Sequence, residues 1–381
     1  MYSPMRACVV REIAGFRLAT PLEGVRGGPL HSESIPSPGC QWTADRVFRL
    51  SSASNVSHTQ QHGRKTMNPG TVLALTMLSV ALPTAHAQSW LPPAEEDRCP
   101  SRWGAGDERG SANHMGPSTV LRAAQLINSG EVVELGHVLH ETIPLGARHF
   151  DLYLKPTGMN PQSNRRGSNE EIVVTELGQV GTQFDGFSHQ SIGDTLYNCF
   201  RISETLTRSG FTNLGIENVG MLMTRGVLLD IARLKGVDIL PEDYEITTED
   251  LQRALADANL SLEPGNAVII HTGWGQLWET DVQRFLGRAP GIGIAAAEWL
   301  VTQDPMLVGA DNQPVEIQPN PDTSISLPVH QIMLVVNGIH LLERMKLDEL
   351  AARQAHEFAF VMQPLKIRGA TGSTVAPAAI F

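Results

Sequence analysis

The segment Gln179-Val-Gly-Thr-Gln-Phe-Asp-Gly-Phe-Ser-His189 decides how this chain is interpreted. In an extended chain alternate residues share a face, so its polar side chains can point into one space if the strand bends. Gly181 and Gly186 supply the freedom to bend. Two amide oxygens, a carboxylate and an imidazole in one place indicate a divalent cation beside an acid–base group, whereas a strand with a polar outer face is the equally acceptable alternative. The four polar residues are Gln179, Gln183, Asp185 and His189.

Strand-like and helix-like runs are mixed along the rest of the chain. The predicted strands are β-branched and continuous, which together with amphipathic helices predicts an α/β fold. Residues 148–169 are rich in Gly, Pro and Asn and are predicted to form an irregular loop, long enough for a lid. The apolar run at 331–336 is too short for its type to be decided. Predicted strands cover 132–139, 172–177, 180–184, 226–231, 266–272 and 358–365, and predicted helices cover 117–129, 248–258 and 294–302.

The N-terminal part has the layout of a secretory signal. Basic residues at 64 and 65 precede an apolar stretch at 72–82, and Ala85-His86-Ala87 gives the small-x-small pattern of a cleavage site. The apolar stretch is too short to span a bilayer. We therefore expect a periplasmic or secreted protein that is cleaved after Ala87. In this interpretation residues 1–66 are a non-native or disordered leader, 67–87 the signal peptide and 88–381 one working domain.

The predicted mature part is acidic. Of the chain's 29 basic and 40 acidic residues, eight and four lie before position 88, which leaves a net charge of −15. Binding to nucleic acid or an anionic membrane needs clustered positive charge, so both partners are excluded after signal cleavage. We expect a small-molecule substrate and a homo-oligomer. Cys99 and Cys199 remain in the mature part, and a bridged and a free pair are equally compatible with one pair of cysteines.

The segment 179–189 resembles the signature of the cyclase family, which includes kynurenine formamidases and isatin hydrolases. That signature is His-x-Gly-Thr-His-x-Asp-x-Pro-x-His. The glycine, threonine, aspartate and last histidine match, whereas Gln179, Gln183 and Phe187 replace the first two histidines and the proline. The resemblance implies a cyclase-like α/β fold of the swivelling β/β/α type, a single large domain with a central mixed sheet or barrel and flanking helices. Further similar stretches lie at 103–113, 194–198, 225–230, 265–274, 328–343, 364–367 and 371–374.

The resemblance also implies a metal site. In the family the first two histidines and the aspartate bind the metal, and the last histidine transfers a proton. Carried over, Gln179, Gln183 and Asp185 become ligands, and His189 acts in catalysis together with Asp185. Glutamine offers a neutral, hard oxygen, which shifts the preference away from Zn²⁺ towards Mn²⁺, Mg²⁺ or Ca²⁺ and weakens binding. We expect a divalent cation, with manganese and zinc as the candidates.

Family members with two metals take a further histidine and glutamate from the C-terminal third, and the matching positions are His330 and Glu343. Pro328 either begins a short helix that ends at Asn337-Gly338, or Asn337-Gly338 is a hairpin turn. Both geometries bring the pair together. A purely structural His–Glu pair is the alternative.

The implied activity is hydrolysis of an amide, lactam or ester bond by metal-activated water, with His189 moving the proton. Aromatic walls would suit an aromatic substrate, although each aromatic residue is equally compatible with core packing. Two alternatives are a periplasmic binding protein that has lost catalysis, for which the two glutamines argue, and a lyase or dehydratase on the same site. Motifs of nucleotide enzymes and serine esterases are missing from the sequence. The substrate-side candidates are His137, Phe187, Tyr197, His271 and Trp274.

Overall fold

The secondary structure of the protein is known from a computed structural model that describes residues 89–158 and 162–381. The described strands are β1 (Val132–Glu134), β2 (Phe150–Pro156), β3 (Asn169–Thr175), β4 (Gln183–Asp185), β5 (Leu206–Thr207), β6 (Gly210–Phe211), β7 (Leu222–Asp230), β8 (Glu245–Ile246), β9 (Ala267–His271), β10 (Gly291–Ile292), β11 (Leu307–Ala310), β12 (His340–Glu343), β13 (Glu357–Met362), β14 (Gly372–Thr374) and β15 (Ala378–Ile380). The described helices are α1 (Glu95–Arg98), α2 (Pro117–Ala124), α3 (Ile202–Thr205), α4 (Ile231–Lys235), α5 (Thr248–Asp257), α6 (Val282–Phe285), α7 (Ile294–Thr302), α8 (Pro328–His330) and α9 (Asp348–Ala352). Short 3₁₀ turns lie at Gly110–His114, Tyr197–Cys199, Ile216–Asn218 and Trp274–Leu277, and α8 continues into a π-helix, Gln331–Val336.

A mixed sheet of nine strands forms the centre of the fold, in the order β1-β15-β13-β7-β9-β11-β12-β4-β14. The four central strands β7, β9, β11 and β12 are parallel, and antiparallel pairs extend the sheet on both sides. The predicted α/β fold with a central mixed sheet and flanking helices is therefore confirmed. The position of β4 between β12 and β14 brings the segment 179–189 beside the C-terminal third.

Both faces of the sheet are covered, because neighbouring residues of the parallel strands contribute to different cores. On β7, Leu229 belongs to the core shared with α5 and α7, whereas Leu228 belongs to the core shared with α9. On β9, Ile270 belongs to the core shared with α5 and α7, and Ile269 belongs to the core shared with α9. Parallel strands that are buried on both faces are continuously apolar. This is the reason why the sequence predicts β9 to within one residue at each end and the apolar second half of β7, although not its first four residues.

The predicted helix at 248–258 is present as α5, and its start shows why it forms there. Thr247 accepts a hydrogen bond from the backbone N–H of Asp250, and Asp250 accepts one from the backbone N–H of Thr247. This capping box satisfies donors that the first turn of a helix leaves free. In the C-terminal third, a helix begins at Pro328 and ends before Asn337, which decides between the two predicted geometries in favour of the helix.

The irregular loop predicted at 148–169 is wrong in its first part. Strands β2 and β3 pair in antiparallel register with Tyr153 opposite Ile172, and both strands are largely exposed. The turn-forming residues that suggested a loop lie between the two strands and at the adjoining strand ends, Pro156 and Asn169. Other boundaries differ less: the strands predicted at 132–139 and 358–365 and the helix at 117–129 end early, at Glu134, Met362 and Ala124. The strand predicted at 180–184 is shifted to Gln183–Asp185, since Gly181 takes a φ of +64° in a turn before it.

The predicted leader at 1–66 and signal peptide at 67–87 lie outside the described residues. Within 89–158 and 162–381, none of the helices is long and apolar enough to cross a bilayer.

Cys99 and Cys199 form a disulfide, with Cα atoms 5.9 Å apart and a sequence separation of 100. The bridge joins the end of α1 to the 3₁₀ turn that follows the segment 179–189. A cross-link that closes such a long loop restricts the unfolded chain, so replacing both cysteines by serine should lower the free energy of unfolding by about 2–4 kcal/mol. Urea unfolding of the oxidised wild type, the reduced wild type and the double variant measures this. Equal stability of all three would contradict the prediction.

Candidate active site

Three buried side chains from different elements converge at the end of β4. Asp185 ends β4, His330 ends α8 and Glu343 ends β12, and each is at most 2% exposed. Their potential ligand atoms all lie within 4.8 Å of one another. His330 Nε2 is 3.0 Å from Glu343 Oε1 and 3.6 Å from Asp185 Oδ2. One imidazole and two carboxylates at these distances form a candidate metal cluster.

The strand register explains how residues far apart in sequence meet here. Glu343 on β12 lies opposite Gln183 on β4. Asp185 is two residues further along β4 and therefore shares the face of Gln183 and Glu343. The helix α8 lies over this face, as its Val329 packs in the same core as Leu341 of β12. The alternation of polar residues along β4 thus places Gln183 and Asp185 together, as the spacing predicts.

Glu316, which is not among the predicted site residues, holds His330 in place. Its buried carboxylate accepts hydrogen bonds from the backbone N–H groups of Val329 (3.1 Å) and His330 (3.0 Å) and from His330 Nδ1 (2.6 Å). With the Nδ1 proton directed at Glu316, Nε2 faces the two other members of the cluster. Burial by itself would lower the pKa of His330, but Glu316 and Glu343 outweigh it and raise the pKa well above its ordinary value.

No local pattern marks Glu316, because it lies in the irregular segment between β11 and α8. The preceding residue, Val315, has a φ of +72°, a conformation that β-branched residues rarely adopt. Such a conformation persists only where the surrounding contacts determine it. The position of Glu316 is therefore a product of tertiary packing.

Three buried oxygen atoms on this face of the sheet accept no hydrogen bond of normal geometry in the described part of the chain: both carboxylate oxygens of Asp185, on which the Gln179 amide has only a weak influence, and Oε1 of Gln183. Buried acceptors in proteins are nearly always satisfied, so this combination requires an explanation. A divalent cation held by Asp185, His330 and Glu343 would satisfy the carboxylate, and the amide oxygen of Gln183 on the same face is also a suitable type of ligand for a hard cation. The residues present therefore fit a metal ion. Burial raises the pKa of Asp185, and the Glu343 carboxylate adds to this effect against the opposing imidazoles of His189 and His330.

Gln179, a predicted ligand, has its side chain already engaged. Its Oε1 accepts from Arg148 Nη2 (3.2 Å) and from Gln183 Nε2 (3.4 Å), and its Nε2 lies 3.3 Å from His189 Nδ1. The interpretation of Gln179 as a metal ligand does not fit this arrangement. His189 Nε2 lies 3.9 Å from Asp185 Oδ1, and its side chain is 21% exposed, so His189 stands on the solvent side of the cluster.

Three of the predicted substrate contacts, Phe187, Tyr197 and Trp274, are core residues, whereas His137 is only partly buried. Phe187 and Tyr197 pack against each other, and Tyr197 donates its hydroxyl proton to Asp107 (2.7 Å). Trp274 is fully buried and donates from Nε1 to the carbonyl of Phe285 (3.2 Å). His137 stacks on Trp278 at 4.2 Å, and burial lowers its pKa to about 4. Large aromatic side chains supply much of a core, so their residue type alone does not identify a pocket.

His271 lies on the other face of the sheet from the cluster. It shares the face of Ile269, whereas Glu343 shares the face of Leu341, and these two apolar residues belong to different cores. His271 Nδ1 is 2.8 Å from Asp230 Oδ1, and the pair lines a cleft of about 730 Å³. Burial alone would lower the pKa of His271, but the hydrogen bond with Asp230 and the nearby carboxylates raise it. The structure thus separates this predicted substrate contact from the candidate metal cluster.

Replacing Glu316 by glutamine should weaken divalent-cation binding by about 10- to 100-fold, because His330 loses the charged partner that orients it. The glutamine amide would also place an N–H group against one of the N–H donors at the start of α8. Isothermal titration with Mn²⁺ measures the effect. Glu242→Gln, at an exposed glutamate, is the control and should bind like the wild type. Unchanged affinity in Glu316→Gln would refute this role.

Comparison with known proteins gives one matching family and several similar structures. Residues 133–317 match the profile of a family described as "Putative cyclase". The chain is similar to a crystal structure described as a novel cyclase, with 34% identity and a TM-score of 0.68 over 74% of this chain and 99% of that one. It is also similar to isatin hydrolase A from Ralstonia solanacearum, with 19% identity and a TM-score of 0.48 over 65% of this chain and 91% of that one. A third structure, isatin hydrolase A from Labrenzia aggregata bound to benzyl benzoate, gives 17% identity and a TM-score of 0.49 over 65% and 93%. Among functionally curated proteins, none is significantly similar in sequence.

Proposed function

Because this chain belongs to the cyclase family, we propose that it is a metal-dependent hydrolase of an amide, lactam or ester bond in a small molecule. One observation carries the proposal: the oxygens of Asp185 and Gln183 are buried beside His330 and Glu343 and lack any donor among the described residues. Buried acceptors without donors are costly to retain, and a bound cation removes that cost.

Each residue of the candidate active site has a separate role in the proposed reaction. A divalent cation held by the cluster and by Gln183 would polarise the scissile carbonyl and lower the pKa of a water molecule. Asp185 and Glu343 together carry the two negative charges that match such a cation. Glu316 holds the Nδ1 proton of His330, which leaves Nε2 for the cluster. His189, on the solvent side, has its Nε2 in position to pass a proton to the leaving group.

The proposal is tested with a panel of N-formyl aromatic amines, isatin and lactones, assayed with purified protein. Chelation should abolish turnover, and Mn²⁺ or Zn²⁺ should restore it. Product masses that contain one added water distinguish hydrolysis from a lyase or dehydratase reaction. If chelation leaves the rate of turnover unchanged, the reaction does not depend on a metal ion and this part of the proposal is wrong.

A second candidate is a small-molecule binding protein that keeps the fold without catalysis. The engagement of Gln179 by Arg148 and His189 favours it, since one ligand position of the family signature is then lost. Inactivity on the whole panel with every added metal, together with a rise in Tm on adding a panel compound, would support this candidate over the hydrolase.

We also propose that the protein is exported to an oxidising compartment. The disulfide between Cys99 and Cys199 supports this, because such bridges persist mainly in the periplasm and outside the cell. Mass spectrometry of the protein recovered from its native host tests the proposal, with Gln88 expected as the first residue. A mature chain that still contains residues 67–87 would contradict signal cleavage.

A further inference from the structure

Arg148 sets the orientation of the Gln179 side chain. It lies two residues before β2 and is partly buried, and its Nη2 is 3.2 Å from Gln179 Oε1. A guanidinium group has only donors, so the amide atom that faces it must be the oxygen. This conclusion follows from the chemistry of arginine and does not depend on how the two ends of the amide are assigned. The amide nitrogen of Gln179 therefore points the other way.

The other end of the Gln179 amide meets His189. Gln179 Nε2 lies 3.3 Å from His189 Nδ1. An amide NH₂ group can only donate, so Nδ1 must accept and cannot carry a proton of its own. A neutral His189 then has its proton on Nε2, the nitrogen that lies 3.9 Å from Asp185 Oδ1. His189 thus presents an N–H donor, rather than a lone pair, to the space beside the cluster.

The same oxygen also orients Gln183. Gln179 Oε1 accepts from Gln183 Nε2 at 3.4 Å, so the Gln183 amide directs its nitrogen at Gln179. Its oxygen is left buried without a donor among the described residues. Gln183 lies opposite Glu343 in the sheet, on the face that carries the cluster. The unsatisfied oxygen is therefore available to a cation held there.

From this chain of contacts we propose that Arg148 is a positioning residue that orients both glutamines of the site. Through Gln179 it determines that Gln183 offers an oxygen to the cation and that neutral His189 carries its proton on Nε2. The statement about the cation rests on the proposed function, whereas the statement about the His189 tautomer does not.

The His189 tautomer is measured directly by ¹⁵N NMR of the full chain labelled at histidine. The experiment is done at a pH at which His189 is neutral, and the resonances are assigned by their loss in His189→Gln. The wild type should show a protonated Nε2 and an unprotonated Nδ1. Arg148→Lys, which keeps a group with donors only, should show the same tautomer. Arg148→Glu offers an acceptor, so the Gln179 amide should turn and the His189 proton should move to Nδ1. Arg166→Glu, with the same charge change at an exposed position between β2 and β3, should leave the tautomer unchanged.

The metal is probed separately, by titration of Mn²⁺ into the same variants. Arg148→Glu should bind about 10-fold more weakly than the wild type, as expected when a supporting residue is lost. The change in charge alone would act in the opposite direction, because removing a positive charge favours a nearby cation. Weaker binding of Mn²⁺ by Arg148→Glu would therefore result from the lost orientation of the glutamine side chains and not from the change in charge.

Two results would overturn the proposal: a wild type with the proton on Nδ1, or an Arg148→Glu variant that keeps the wild-type tautomer. If the wild type binds no divalent cation at all, the proposed function fails, and the tautomer measurement still decides the role of Arg148.

Discussion

Asp185→Asn is expected to abolish stabilisation by divalent cations while leaving the metal-free protein at least as stable as the wild type. Both carboxylate oxygens of Asp185 are buried and without a donor in the described residues, and burial raises the pKa of this carboxyl. In the metal-free state an uncharged amide therefore costs less than the carboxylate it replaces. At a cation concentration of about 100 times Kd, the wild type should gain about 2.7 kcal/mol, and the variant should gain nothing.

Thermal unfolding with chelator and with Mn²⁺ measures both parts of this expectation. Asp311→Asn is the matched control, because Asp311 is equally buried but accepts hydrogen bonds from Thr272 N (2.8 Å), Thr272 Oγ1 (2.7 Å) and Gly275 N (3.2 Å). Removing a satisfied acceptor should cost about 1–3 kcal/mol in either condition and leave the response to Mn²⁺ intact. A clear Mn²⁺-dependent rise of Tm in Asp185→Asn would mean that the cation is not bound by Asp185.

His189→Gln is expected to reduce kcat by about 10²- to 10⁴-fold, the usual contribution of a positioned acid–base group. The variant should keep its affinity for Mn²⁺ and its Tm, because His189 lies outside the cluster and is partly exposed. Glutamine retains a hydrogen-bonding side chain of similar size but cannot transfer a proton at the leaving group. Loss of turnover with binding intact would separate proton transfer from metal binding.

Steady-state kinetics on whichever panel compound the wild type hydrolyses gives the comparison. His140→Gln is the control, since the His140 side chain is 39% exposed, lies outside the cluster and has its Nδ1 against the hydroxyl of Thr142 (2.9 Å). It should behave as the wild type. A His189→Gln variant with nearly wild-type kcat would show that another group moves the proton.

Local patterns account for the parts of the fold that the sequence predicted correctly. The continuous apolar runs of β7 and β9 and the capped start of α5 depend on residues close together in sequence. Strand β2 was missed, whereas the strand predicted at 172–177 overlaps β3, because the turn-forming residues between the two strands dominated the interpretation of residues 148–169. The alternation of apolar residues within Phe150–Pro156 was the better signal.

Sheet register decided which predicted site residues belong together. Asp185, His330 and Glu343 meet because β4 pairs with β12 and α8 lies over that face. His271 ends β9, which is separated from β12 by β11 in the sheet, and it points to the opposite face. A shift of one residue in the pairing register of a strand moves each of its side chains to the other face of the sheet. A comparison of motifs does not give the register, so it could not separate His271 from the cluster.

By itself, the sequence determined the α/β class, the family and the common face of Gln183 and Asp185, because periodicity and motif spacing are properties of neighbouring residues. Only the tertiary structure decided what the two glutamines do. An amide can present either its oxygen or its nitrogen, and the choice depends on the group that faces it. Here that group is Arg148, 31 residues before Gln179 in sequence. The orientation of His330 likewise depends on Glu316, 14 residues away in an irregular segment. Both are long-range contacts, which only the folded chain creates.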